Sequence, residues 1–202
     1  TTTLPKSCLN GAEPVVCADD RKVFNPSIDQ ANNRLNASEG YTFDAAGNMT
    51  GDPQGRAFKY DGENKQHEVR NALNDMVGQY FFDGDGKRVK KYVPSTGETT
   101  VFVYDASGKL VAEYSTNVVP VQDAKVNYLT SDYLGSPRIK TDKNGAVISR
   151  NDYLPFGEDL FTSQRTQTLG YTPDTIRQKF TGYEKDDETG LDFAQARMYL
   201  NK

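Results

Sequence analysis

Two short acidic runs are the first places in this sequence where chemistry can be sought. Asp83-Gly84-Asp85-Gly86 sets two carboxylates two residues apart among glycines, as a calcium loop begins. An EF-hand also needs a ligand at its fifth position and a glutamate at its twelfth, where Lys87 and Pro94 stand. A hairpin turn is the favoured reading. Asp186-Asp187-Glu188 offers adjacent carboxylates for acid–base work or a metal. Successive acids point different ways, so a solvated turn ahead of Gly190 is expected. His67 is the single histidine and has no Cys or Ser partner in an organised motif, so it reads as an exposed strand residue. The sequence holds no Gly-x-Ser-x-Gly elbow and no phosphate-binding Gly-Lys-Ser/Thr loop. Cys8 and Cys17 leave two readings open. A disulfide would imply an oxidising compartment and contribute about 2–3 kcal/mol; otherwise two unpaired thiols lie in a loose arm. With His67 they do not make four zinc ligands. No enzyme, metal site or cofactor is expected.

Composition points to the elements that carry these residues. Only 36% of the 202 residues are hydrophobic, and the aromatic set is 12 Tyr and 10 Phe with no Trp. Tyrosine has an apolar body and a polar tip, which suits a sheet face that is only half dry. The net charge of −4 is mild, and no basic stripe for nucleic acid appears. No apolar run approaches the roughly 20 residues that span a bilayer. Thr1 to Asn10 lacks the charged start and apolar stretch of a signal peptide, and a first residue other than Met reads as a processed or excised chain.

One phrase recurs: an aromatic, Asp, two small or polar residues, Gly, then a strand-like run. It stands at Phe43-Asp44 to Gly47, Phe82-Asp83 to Gly86 and Tyr104-Asp105 to Gly108; Tyr60-Asp61 to Asn64 substitutes Asn for Gly. Asp142 to Gly145 keeps the turn without the aromatic. The aspartates at 44, 61, 83 and 105 are spaced by 17 and then twice by 22. An Asp side chain can accept backbone N–H groups ahead of it, and Gly three residues on supplies the positive φ of a type I turn with a bulge. Flanking runs such as Thr99 to Tyr104 and Lys109 to Tyr114 are β-branched or aromatic and strand-length. Each unit is a hairpin, and hairpins are marginal alone, so they must pair in sequence. The expected fold is all-β: consecutive antiparallel hairpins in a curled β-spiral, with few short helices. Ile176 to Phe180 and Leu191 to Tyr199 are the places for a short helix or turn. Tyr153 to Gly157 reads as an apolar turn packed under the sheet, with Pro155 ending a strand. Residues 1–38 read as an irregular arm with a first turn near Asn32 to Leu35. The aromatic stripes suit rung-on-rung stacking better than a sugar platform.

The second half carries longer phrases: Ser131-Asp132-Tyr133-Leu134-Gly135-Ser136-Pro137-Arg138, Asp152-Tyr153-Leu154-Pro155-Phe156-Gly157-Glu158, and Lys179 to Phe193 with Gly182, Glu184, Thr189, Gly190 and Leu191, closing on Ala196-Arg197-Met198-Tyr199. Their order and spacing resemble the RHS/YD-repeat family, with YD repeats over 39–128 and the RHS repeat-associated core over 129–202. The resemblance implies a sheet that spirals into a hollow cocoon. Many members enclose a C-terminal toxin there and are secreted or displayed on bacterial surfaces. The aspartyl self-cleavage of toxin-bearing members lies in a stretch beyond the Ala-Arg phrase, and this chain stops at Lys202, so neither that site nor a cargo is expected in it. Arg197 matches the core arginine and cannot do aspartyl chemistry alone.

The resulting expectation is a structural segment of an extracellular or surface shell. Its partners would be the rest of a longer YD-repeat chain or further copies of itself, with a toxin cargo and no nucleic acid. A self-assembling or adhesive surface protein, forming filaments or binding a glycan or receptor, is the alternative, because open sheet edges pair with other chains; a remnant of the self-cleaving aspartyl core is the third and weakest reading.

Overall fold

The structure is a computed structural model and describes residues 3–4, 21–22, 26–118, 120, 125–160, 176–195 and 197–200. Cys8 and Cys17 lie outside the described residues. The chain divides into two compact units: Ile28–Ala124 with Tyr183–Leu200, and Thr1–Ser27 with Lys125–Gly182 and Asn201–Lys202.

In chain order, β1 (Thr3–Leu4) pairs with β2 (Arg21–Lys22), and β3 (Ile28–Asp29) with β4 (Arg34–Leu35). Next come β5 (Thr42–Phe43), β6 (Met49–Gly51), β7 (Ala57–Tyr60), β8 (Gln66–Arg70) and β9 (Met76–Phe82). They are followed by β10 (Arg88–Val93), β11 (Glu98–Tyr104) and β12 (Leu110–Ser115). β5 to β12 form one eight-stranded antiparallel sheet in which every strand pairs only with its sequence neighbours. A three-stranded sheet follows, of β13 (Asn127–Ser131), β14 (Pro137–Asp142) and β15 (Val147–Arg150). β16 (Glu184–Asp186), β17 (Leu191–Ala194) and β18 (Arg197–Tyr199) form the last sheet. Among the described residues the only helical turns are of the 3₁₀ type, Ala37–Glu39 and Phe180–Gly182.

The turns share one construction. Asp61, Asp83, Asp105, Asp132 and Asp142 each accept, on Oδ1, the backbone N–H groups two and four residues ahead. The residue three ahead donates its N–H to the aspartate carbonyl: Gly47 to Asp44, Asn64 to Asp61, Gly86 to Asp83, Gly108 to Asp105, Gly135 to Asp132 and Gly145 to Asp142. That residue has positive φ in each case, +61° at Asn64 and +75° at Gly86. A side chain there meets the left-handed penalty that Gly and Asn largely escape. Asp52 to Gly55 and Asn71 to Asn74 are built identically, with Asn71 in the aspartate's role and Asn74 in the glycine's. These two turns close the other end of the hairpins and were not singled out in the sequence.

Tyrosine before the turn aspartate has a specific task. Tyr60 Oη donates to the Met49 carbonyl at 3.0 Å, and Tyr104 Oη to the Arg88 carbonyl at 2.9 Å. Each acceptor lies five residues beyond the preceding turn aspartate, so the phenol ties one rung to the next. Burial, reinforced by the Asp44 charge, pushes Tyr60 up to about 12, so it stays a neutral donor. The basic residue leaving a turn covers the following one. The Lys87 ammonium lies 5.6 Å from the Tyr104 ring centroid, and the Arg34 guanidinium 5.5 Å from that of Phe43.

Leu191 to Tyr199, read as a short helix or turn, is a hairpin with its turn at Gln195, because its alternating Leu191 and Phe193 find a sheet to pack on, and burial outweighs helix propensity. One local expectation fails. Tyr153 to Gly157 does not tuck under a sheet: Gly157 donates to the Leu154 carbonyl, and Pro155 and Phe156 form an exposed tip, Phe156 at 73%. Within that unit Tyr153 Oη donates to the Pro137 carbonyl at 3.3 Å, and its ring lies 5.9 Å from Phe180.

Candidate functional site: a buried ionic clasp

Phe58, Val69 and Tyr80 from β7, β8 and β9 form the buried core with Leu191 of β17, and Met198 and Leu200 pack against it. The C-terminal sheet therefore folds back over one face of the repeat sheet. Beside this apolar patch lies a cluster of charge.

Its basic half comes from β10. In a regular strand, residues three apart face opposite ways. The register of β10 against β9 slips between Arg88 and Lys90, and this bulge brings Arg88 and Lys91 to the same side. Its acidic half comes from β16 and the turn after it. Glu184 and Asp186 share a face by strand alternation. Glu188 follows in a turn closed by Gly190 N–H donating to the Asp186 carbonyl at 2.6 Å.

The two halves meet closely. Arg88 donates through both terminal nitrogens to Asp186, Nη1 to Oδ1 at 2.7 Å and Nη2 to Oδ2 at 2.8 Å. Lys91 Nζ donates to Asp186 Oδ1 at 3.1 Å and lies 3.4 Å from Glu184 and 3.6 Å from Glu188. Tyr80 Oη donates to Glu188 Oε1 at 2.8 Å. The Arg88 guanidinium is sandwiched between Tyr80 and Phe193, 4.3 and 4.0 Å from the ring centroids. Arg56, held by Asp52, donates to the Thr189 carbonyl and fixes the outer end of the turn. The Arg88 and Asp186 side chains are 1% and 0% exposed. Breaking such a dry pair from one side therefore strands a charge.

The electrostatics follow from this packing. Burial opposes the charge on Lys91, yet Asp186, Glu188 and Glu184 outweigh it and hold the ammonium above its ordinary value. Burial pushes the Glu188 carboxyl up, Asp186 adds to that, and Lys91 opposes it. Burial, with the charges of Asp186 and Glu188, drives the Tyr80 phenol well above its ordinary range.

The expectation that Asp186-Asp187-Glu188 is a solvated turn is thus corrected. Asp187 alone is exposed; Asp186 is fully buried and Glu188 nearly so. Both Asp186 oxygens accept from Arg88, so the carboxylate anchors the two segments to each other. The turn at Asp83 to Gly86 spends its Oδ1 on backbone N–H groups. His67 is half-buried in β8. Of the core-phrase residues, Glu184, Thr189, Gly190 and Leu191 belong to the clasp or its turn, while Arg197 lies exposed on β18. In the other unit, Asp132 and Gly135 make the β13–β14 turn and Arg138 pairs with Asp152. Ser136 Oγ accepts the Thr181 N–H beside Gly182. Arg88, Lys91 and Tyr80 were not foreseen as site residues. A pair of bases beside an Asp-Gly turn, followed far downstream by alternating acids, was the available signal.

Three likenesses to known proteins bear on this arrangement. The tRNA3(Ser)-specific nuclease WapA of Bacillus spizizenii is 28% identical over 188 residues, covering 88% of this chain and 8% of that protein. Salivary gland surface protein 1 of Aedes aegypti is 29% identical over 157 residues, 70% of this chain and 4% of its own length. The TccC3-containing crystal structure of TcdB2-TccC3 superposes with a TM-score of 0.58 at 20% identity, covering 79% of this chain and 9% of that one. The chain thus spans under a tenth of the length of these proteins. A family model, Teneurin YD-shell, matches residues 31–174. Its match falls on the Asp-led rungs of the meander and the first core phrases, and the chain belongs to the Teneurin YD-shell family.

Proposed function

We propose that this chain is a wall segment of an extracellular YD shell that encloses a C-terminal cargo, such as a toxin, within a longer protein. Residues 39–128 supply the repeat wall and residues 129–202 the core region. The segment itself is non-catalytic, and its partner is the rest of the shell. One observation carries the reading: eight strands in strict sequence order form a sheet that can be lengthened rung by rung. The family match, and relatives more than ten times longer that include a nuclease by name, support it. In this reading the nuclease activity of such relatives lies outside the matched stretch, and the wall only contains it.

The test has two arms. The purified chain, incubated with tRNA, is expected to leave it intact; cleavage abolished by a substitution within the chain would contradict the reading. A parent protein carrying this segment is expected to shield its C-terminal part from added protease until the shell is unfolded. Immediate digestion of that part would contradict it too.

A further inference from the structure

Arg88 carries a donor that its partners do not take up. Its guanidinium is planar, and every nitrogen on it donates. Nη1 donates to Asp186 and also faces Glu184 at 3.6 Å, while Nη2 donates to the other Asp186 oxygen. When both terminal nitrogens grip one carboxylate, the second N–H of Nη2 runs parallel to Nε–H. That second N–H meets the Met198 sulfur at 3.9 Å. Nε beside it is buried and has no acceptor among the described residues. A thioether is a weak acceptor, and a buried donor left without a good one is costly. Tyr80 and Phe193 cover the two faces of the guanidinium, so a better acceptor reaches it only along this edge. Met198 is half-buried on β18, with its side chain packed on the Leu191 core.

We propose that Met198 is an oxidation site whose sulfoxide tightens the clasp. The oxidant is a hydroperoxide. The Met198 sulfur attacks one peroxide oxygen, the O–O bond breaks, an S–O bond forms, and water or an alcohol leaves. Sulfur is oxidised and the peroxide reduced. The new oxygen is a strong acceptor. Formed on the lone pair that faces Arg88, it stands at the fork of Nη2–H and Nε–H and serves both. The direction is opposite to the ordinary one, in which a sulfoxide puts a polar group into apolar packing and disrupts it. The neighbour makes the difference: a dry cation with an unspent donor, to which a charge-assisted bond is strong. Methionine sulfoxide reductase returns the thioether, so the change is reversible. The clasp responds in this way whether or not the chain is part of a shell wall.

The full chain and its Met198→Leu variant are melted before and after treatment with hydrogen peroxide, and peptide masses report oxidation residue by residue. Leucine conserves volume, so the variant is expected to fold. Met49, Met76, Cys8 and Cys17 are common to both chains, so the difference between the two isolates Met198. Met198 is expected to gain an oxygen while the chain is folded. The parent's change in melting temperature should be more positive than that of Met198→Leu by on the order of 2–4 °C. Equal changes, a more negative change in the parent, or a Met198 that stays unoxidised in the folded chain overturns the proposal. Met198→Gln needs no oxidant, because its amide oxygen reaches a similar distance. It should melt above Met198→Leu, although an amide at a half-buried core position is otherwise the weaker choice. A glutamine variant that melts no higher than the leucine one overturns the proposal too.

Discussion

Arg88 joins two segments 98 residues apart while lying between two aromatic rings. Replacing it with Met leaves Asp186 buried without its bidentate partner, and the expected loss is about 3–5 kcal/mol in a denaturant titration. Adding Asp186→Leu to that variant should recover a large part of the loss, since removing both charges also removes their desolvation cost. A double variant weaker than the sum of its single changes would contradict this. At this scale the sequence was only partly legible. The turn aspartates announce themselves, because their partners lie two to four residues ahead. Asp186 looks just like them in the sequence, and what distinguishes it is a cation on a strand that the chain reaches only by folding back.

Elements show the same division between near and far. The meander was legible because each rung is closed by local hydrogen bonds and zipped to its sequence neighbour. The tyrosine tie is one rung away, so Tyr104→Phe should cost about 1 kcal/mol by denaturant titration and leave the sheet intact. Gly78 is different. A strand interior gains nothing from glycine, yet a Cβ here would stand 2.7 Å from Tyr80 Oη and 3.3 Å from Glu188 Cγ. Gly78→Ala should therefore cost about 1–3 kcal/mol in a denaturant titration, because the added methyl crowds the Tyr80–Glu188 hydrogen bond. The Leu191 to Tyr199 hairpin was not legible. Ala194, Gln195 and Arg197 favour helix on their own, and only the facing sheet decides otherwise.

In the unit of residues 28–124 and 183–200, a locally specified sheet is capped by a distant segment through a small apolar core and a dry charge cluster. Desolvation offsets much of the attraction within such a dry ionic cluster. The core around Leu191 supplies attraction, and Arg88 and Lys91 set the position. Amide hydrogen exchange on the full chain tests this most directly. Strands β8 to β10 and β16 to β17 are expected to be the slowest to exchange in the unit and to lose protection together in Arg88→Met. Rapid exchange across β16 to β17 in the parent chain, while β8 to β10 stay protected, would show that the C-terminal sheet is not clasped to the repeats.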